Sequence, residues 1–169
     1  MSFQTVVNKQ QAPAVAGNFA SMNPYSTMTA GEGVIVVGDG GVSIGKFAFV
    51  DENGIATQIK PQSYKRLGFV ANEQQASIVE YLAEYGLTIQ KGQQVTLYTQ
   101  GDFYAVFEDG AVANSRIYVE NLTGKMIADG GQSFNPNNHT ATDFYVISNA
   151  GANELTIITS TKQNAGYVE

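Results

Sequence analysis

Cysteine and tryptophan are absent from this chain, and histidine occurs once. Without cysteine there is no disulfide framework, no thiolate metal site and no cysteine nucleophile, so folding must rest on packing alone. A lone His139 removes the histidine pair that a zinc or cupin-like metal centre needs. Charge is also scarce: 14% of residues are Asp, Glu, Lys or Arg, against ~25% in an average globular domain. Fifteen acids against nine bases leave a net charge of −6, which opposes a phosphate backbone unless the bases cluster. They are scattered. The densest group, Lys60, Lys65 and Arg66, has no interleaved aromatic run and reads as solvated surface. No stretch approaches the ~18 apolar residues of a membrane span. The opening Met1 to Gln4 does not begin a secretory signal. The expectation is synthesis in a cytoplasm, with neither nucleic acid nor membrane as partner.

What is present is enough apolar material for one core, 43% of 169 residues. Gly, Asn, Gln, Ser and Thr make up much of the rest, a polar, weakly charged surface suited to broad contact with other protein. Residues 1–32 hold Pro13 and Pro24 and show neither period 2 nor period 3.6, so they read as an extended N-terminal arm. Phe3, Val6, Val7, Val15, Phe19, Met22, Tyr25 and Met28 are too many apolar groups for a free tail. They must pack either on the domain's own sheet or on a neighbouring subunit, and the sequence leaves both open.

From Gly33 the pattern changes. Val34 to Val37 and Val42 to Phe49 are β-branched or aromatic and are separated by Gly38 to Gly41, which predicts a hairpin. Asp51 to Gly54 form the next turn, and strands are expected at Leu67–Ala71, Leu87–Ile89, Val95–Tyr98, Phe103–Phe107 and Ile117–Val119. Phe144–Ile147 and Leu155–Ile158 form a second hairpin. Ile78, Tyr81, Leu82 and Tyr85 fall at helical spacing, which predicts one short helix over 74–84. The Gly- and Asn-rich stretch from Asp129 to Asp143 reads as a surface loop, and residues 162–169 as a mobile tail. Many short strands with Gly-rich turns make the β domain, residues 33–161, a jelly-roll-like β-sandwich or barrel; strand order is not derivable.

No catalytic constellation emerges. Gly40 to Lys46 matches a phosphate-binding loop through its lysine, but Phe47 stands where Ser or Thr would bind magnesium, and a strand is expected where a helix should begin. His139 lies in the polar loop and reads as solvated. Asp51 with Glu52, and Glu108 with Asp109, fall in turns, where carboxylates cap amides. The expectation is a protein that is not an enzyme and needs no cofactor or metal.

The arm carries something familiar. Its run from Gln11 to Pro24, QAPAVAGNFASMNP, resembles the opening motif of the tailed-phage structural cement, or capsid decoration, protein family. Gly41 to Phe49, Gly68 to Val70 with Glu73 to Ala76, Tyr81 to Glu84, Val95 to Leu97 and Gly101 to Phe103 resemble further blocks of that family in the same order. The resemblance thins after Arg116. It implies a jelly-roll-like protein on the outer surface of the virion's capsid, bridging copies of the major capsid protein and associating with itself, commonly as a dimer. The arm residues expected to touch the capsid or a neighbouring subunit are Phe3, Val6, Val7, Pro13, Phe19, Asn23, Pro24 and Tyr25. Competing readings of the same composition are a tail, fibre or baseplate β domain and a carbohydrate-binding β module, the latter weakened by the lack of Trp.

Overall fold

The computed structural model describes residues 14–73, 87–128, 130 and 134–161. The described chain is all β, with β1 (Ser26–Thr27), β2 (Val36–Val37), β3 (Val42–Ser43), β4 (Phe47–Asp51), β5 (Ile55–Thr57), β6 (Tyr64–Val70) and β7 (Thr88–Ile89) in its first part. β8 (Leu97–Gln100), β9 (Asp102–Val106), β10 (Arg116–Glu120), β11 (Met126–Ile127), β12 (His139–Val146) and β13 (Leu155–Thr159) follow. A six-stranded sheet runs β1-β8-β6-β4-β5-β2, a five-stranded sheet runs β11-β10-β12-β13-β9, and β3 pairs with β7. The arrangement is the expected jelly-roll-like β fold. The helix expected over 74–84 and the tail 162–169 lie outside the described residues.

The centre of the six-stranded sheet is buried on both faces. Phe47, Phe49 and Phe69 project towards the five-stranded sheet and join Phe103, Phe107, Ile117, Val119, Phe144, Val146 and Ile158 in one core. Ala48, Val50, Val70 and Leu97, from the same strands, enter a second core with Val37, Val42, Ile44, Ile89 and Val95. That is why β4 reads FAFV with no polar alternation: all four residues are at most 1% exposed.

Several expected elements fall into place. The expected Asp51–Gly54 turn joins β4 to β5, a short strand the sequence did not announce, with Phe49 opposite Thr57. The Asp51 carboxylate accepts the Asn53 and Ile55 amides at 2.9 and 2.8 Å, the capping role assigned to that acid. β12 and β13 form the second hairpin. The hairpin of Val34–Val37 with Val42–Phe49 does not exist. β2 instead lies parallel to β5 and is flanked on its other edge by residues 92–95, while β3 pairs with β7. Gly38 to Gly41 turn the chain out of one layer into another, so local apolar runs found partners distant in sequence. The loop expected from Asp129 to Asp143 also ends early, because β12 starts at His139. Thr140 and Thr142 are β-branched, and Thr142 is buried with its hydroxyl donated to the Ile117 carbonyl at 2.9 Å, so a polar sequence serves as a strand. His139 is accordingly a half-buried strand residue opposite Glu120 rather than a solvated loop residue.

Candidate docking surface

β8 and β9 are one continuous strand that leaves one sheet and enters the other, bending at Gly101, whose φ of 136° suits glycine. An added Cβ there would lie 2.9 Å from the Phe103 ring and 3.1 Å from the Tyr25 Cβ. The described part of the arm runs antiparallel along this bent strand. Gly17 donates to the Tyr104 carbonyl at 2.7 Å, Tyr104 donates back to Asn18 at 2.9 Å, and Ala20 donates to Asp102 at 2.9 Å. Beyond the bend, β1 pairs with β8 and the Met28 amide donates to Leu97 at 2.7 Å. The arm thus covers the outer edge of β9 in one sheet and of β8 in the other. Gly17 permits the close pass: a Cβ would sit 2.5 Å from the Ile44 Cγ2 atom.

Between these two pairings, residues 21–25 bulge away from the strand, held by Asp102. Its Oδ2 accepts from the Ser21 hydroxyl and from the Asn23 amide, each at 2.6 Å, and its Oδ1 accepts from the Thr159 hydroxyl at 2.6 Å. Asp102 is 7% exposed and has no ion-pair partner among the described residues. Burial pushes its carboxyl upward, but the three donors outweigh burial and hold it below the ordinary value. The folded pKa being the lower one, the unfolded chain binds the extra proton between the two values. Asp102 therefore contributes its full stability above the ordinary carboxylate value of ~3.9 and loses it as pH falls through the folded value. Thermal melts from pH 5 down to pH 3 are expected to show a steeper fall in the wild type than in Asp102→Asn. At neutral pH that variant should be ~1–2 kcal/mol less stable, because its amide group replaces an acceptor by an unwanted donor.

An aromatic cluster backs the bulge. The Phe19 ring lies 5.0 Å from Phe103, 5.3 Å from Tyr98 and 5.2 Å from Tyr25. Tyr98 donates its hydroxyl to Glu73, and burial, reinforced by that carboxylate, raises the phenol well above its ordinary value. On the outside the same segment leaves apolar surface bare: Phe19 is 38% exposed, Tyr25 58% and Met22 102%. Pro24 is exposed and Asn23 half-buried. No charge falls between Gln10 and Gly31, nor between Gly92 and Gly101, so the seam and its strand form a charge-poor strip on an acidic protein.

Of the arm residues expected to make contacts, the structure brings Phe19, Asn23, Pro24 and Tyr25 together at this bulge, while Phe3, Val6, Val7 and Pro13 lie outside the described residues. Sequence reasoning missed Asp102 and Ser21, and named Met22 among the arm's apolar residues without counting it as a contact. The signal for Asp102 was available: it is the sole charge between Gly92 and Phe107.

Chemistry fares differently. The phosphate-loop candidate is followed by β4, not by a helix, and Lys46 lies 3.3 Å from Glu108. Asp109 lies 2.6 Å from Lys125. Among the described residues no three His, Asp or Glu side chains gather as metal ligands.

A family model described as XM1 gp53 minor capsid protein matches residues 3–160. The chain belongs to this family of phage minor capsid proteins. No curated protein matches. Among solved structures, a chain in the capsid of Myoviridae phage XM1 is similar at 18% identity, with a TM-score of 0.57 over 96% of this chain and 99% of that one. The tailed-phage capsid resemblance read from the arm and the strand blocks is thereby borne out. As a minor capsid protein of this family, the chain has a structural role in the virion, associated with capsid components.

Proposed function

We propose that this minor capsid protein is a cement or decoration protein, which binds the outer surface of a tailed-phage head and bridges subunits of the major capsid protein, stabilising the particle. The observation that carries this reading is the bulge at residues 21–25: a buried carboxylate fixes it, yet Met22 within it is fully exposed. A preorganised, charge-poor apolar knob costs little entropy on docking. In this reading the arm, 1–32, and the β domain, 33–161, act as one bridging unit, and Phe3, Val6, Val7 and Pro13 extend the contact. Each contact to a capsid subunit is modest, and the lattice multiplies them by holding the next site at fixed distance. The reading includes self-association as a dimer, and a strict monomer by light scattering at high micromolar concentration would count against that part. The capsid description of the family favours a head over a tail, fibre or baseplate position, and over a carbohydrate-binding module.

The decisive experiment is sedimentation of the protein with empty heads, followed by images of particles with and without it. Met22→Ala is the sharpest variant. It should leave the melting temperature unchanged and weaken head binding roughly tenfold, since burying such a side chain is worth ~1.5–3 kcal/mol. Undiminished binding by this variant would remove the knob from the contact, and absence of wild-type density outside the shell would sink the reading.

A further inference from the structure

The basic side chains of this acidic protein are unevenly placed. Between the first half of β6 and β12 lies a cleft of about 300 Å³, at the lower end of the ~300–1,000 Å³ typical of small-ligand pockets. Its floor is apolar: Phe47 and Phe144, 1% and 2% exposed, with Leu67 and Met28 beside them. Lys65 and Arg66 stand on its rim. The Lys60 ammonium sits 4.7 Å from the centre of the Tyr64 ring, also on the rim. Thr142 and Asp143 line the opposite side, and Arg116, outside the cleft, donates to the Thr142 carbonyl at 2.6 Å and to Asp143 at 3.0 Å. The rim carboxylate, Asp143, is thus already engaged, while Lys65 has no ion-pair partner among the described residues and Arg66, also without one, donates one of its N–H groups to the Thr29 carbonyl. The Lys65 and Arg66 pair, bland in sequence, becomes in three dimensions a positive rim beside an aromatic floor, with Lys60 close by on the Tyr64 ring.

We infer that this cleft receives an acidic segment of a capsid subunit, one apolar side chain entering between Phe47, Leu67 and Phe144 while flanking carboxylates meet Lys65 and Arg66. The inference rests on the capsid-binding reading above and adds to it a second contact, built from other residues than the arm's knob and of different chemistry. Charge complementarity selects the occupant. The rim attracts carboxylates, which the rest of this surface repels, and the floor demands an anchor that a bare anion lacks. Two contacts of unlike chemistry on one rigid domain also fit a bridging role, because each can be satisfied by a different subunit.

The test uses the full-length isotope-labelled protein and three capped tripeptides: Glu-Phe-Glu, its neutral counterpart Gln-Phe-Gln, and the anchorless Glu-Gly-Glu. Amide signals of Leu67, Thr142 and Phe144 should shift and saturate with the first. Binding of the other two, and of the first to Lys65→Glu, should be weaker by roughly tenfold or more. No shift at millimolar peptide, equal binding of the neutral peptide, or preference for an oligonucleotide would overturn the inference. On heads, Lys65→Glu should reduce retention with an unchanged melting temperature. Full retention of that variant would overturn the cleft contact and leave the capsid reading standing. Saturable peptide binding by a wild type that does not bind heads would overturn the capsid reading instead.

Discussion

Removing Met1 to Asn23 should cost the free protein roughly 3–5 kcal/mol and make it prone to aggregate. The cut deletes the Gly17, Asn18 and Ala20 hydrogen bonds to β9 and the packing of Phe19 against Phe103 and Tyr98. It also leaves Asp102 with Thr159 as its remaining described partner, Ser21 and Asn23 being gone. Net backbone bonds are worth ~0.5–1.5 kcal/mol each, and a carboxylate stripped of donors adds more, offset in part by the regained freedom of the lost segment. The edge of β9, now bare, is a template for pairing with another chain. Removing residues 1–13 alone keeps the seam, so melting temperatures and head binding of the two truncations together separate what the seam does for the fold from what the arm does for the capsid. Equal melting temperatures for the longer truncation and the wild type would show that the seam contributes nothing to stability.

Phe103→Ala should be comparably damaging, at ~4 kcal/mol. Phe103 is fully buried, and its ring stands 4.9 Å from Phe69, 5.2 Å from Tyr98, 5.0 Å from Phe19 and 6.2 Å from Phe144. It is the point where both sheets and the arm share one contact, so the cavity cannot be filled by a shift of any one element. For a chain of this size that loss corresponds to a fall in melting temperature of ~8–16 °C. Denaturant titration should show a lower midpoint with an unchanged slope. Phe19→Ala, at a site still 38% exposed, should cost about half as much. Equal losses at the two positions would mean that Phe103 is not the centre of the core.

The sequence was most legible where a strand and its turn are adjacent. β4 and the Asp51–Gly54 turn announce themselves through Phe and Val running into an acid-rich turn, and β12 with β13 through apolar runs on either side of an Asn- and Gly-rich loop. It was least legible where pairing is remote. Val34 to Val37 look like half of a hairpin, yet β2 finds β5 in parallel and the backbone near Gln93, a choice that local period does not encode. His139 to Thr142 look like loop because their side chains are polar; only the buried acceptor waiting at Ile117 makes Thr142 a strand residue. For the docking surface, the arm's apolar residues marked it as adhesive, and Phe19, Asn23, Pro24 and Tyr25 do meet at one bulge. What pins that bulge was hidden, since Asp102 acts across some eighty positions, 81 to Ser21 and 79 to Asn23. A lone carboxylate in an otherwise uncharged strand is the general form of such a signal.

The bent strand also has a mechanical meaning. A capsid that swells under internal pressure would tug on any arm caught by a neighbouring subunit, and the result depends on the direction of the pull. Because the arm lies antiparallel to β8 and β9 and is bonded on both sides of Gly101, tension along the seam shears its bonds together and passes into both sheets at once. Tension perpendicular to the seam peels them one at a time, starting at Gly17. Resistance to force is governed by the barrier to opening rather than by equilibrium stability. The same few hydrogen bonds thus make a strong tether along one axis and a release tab along the other.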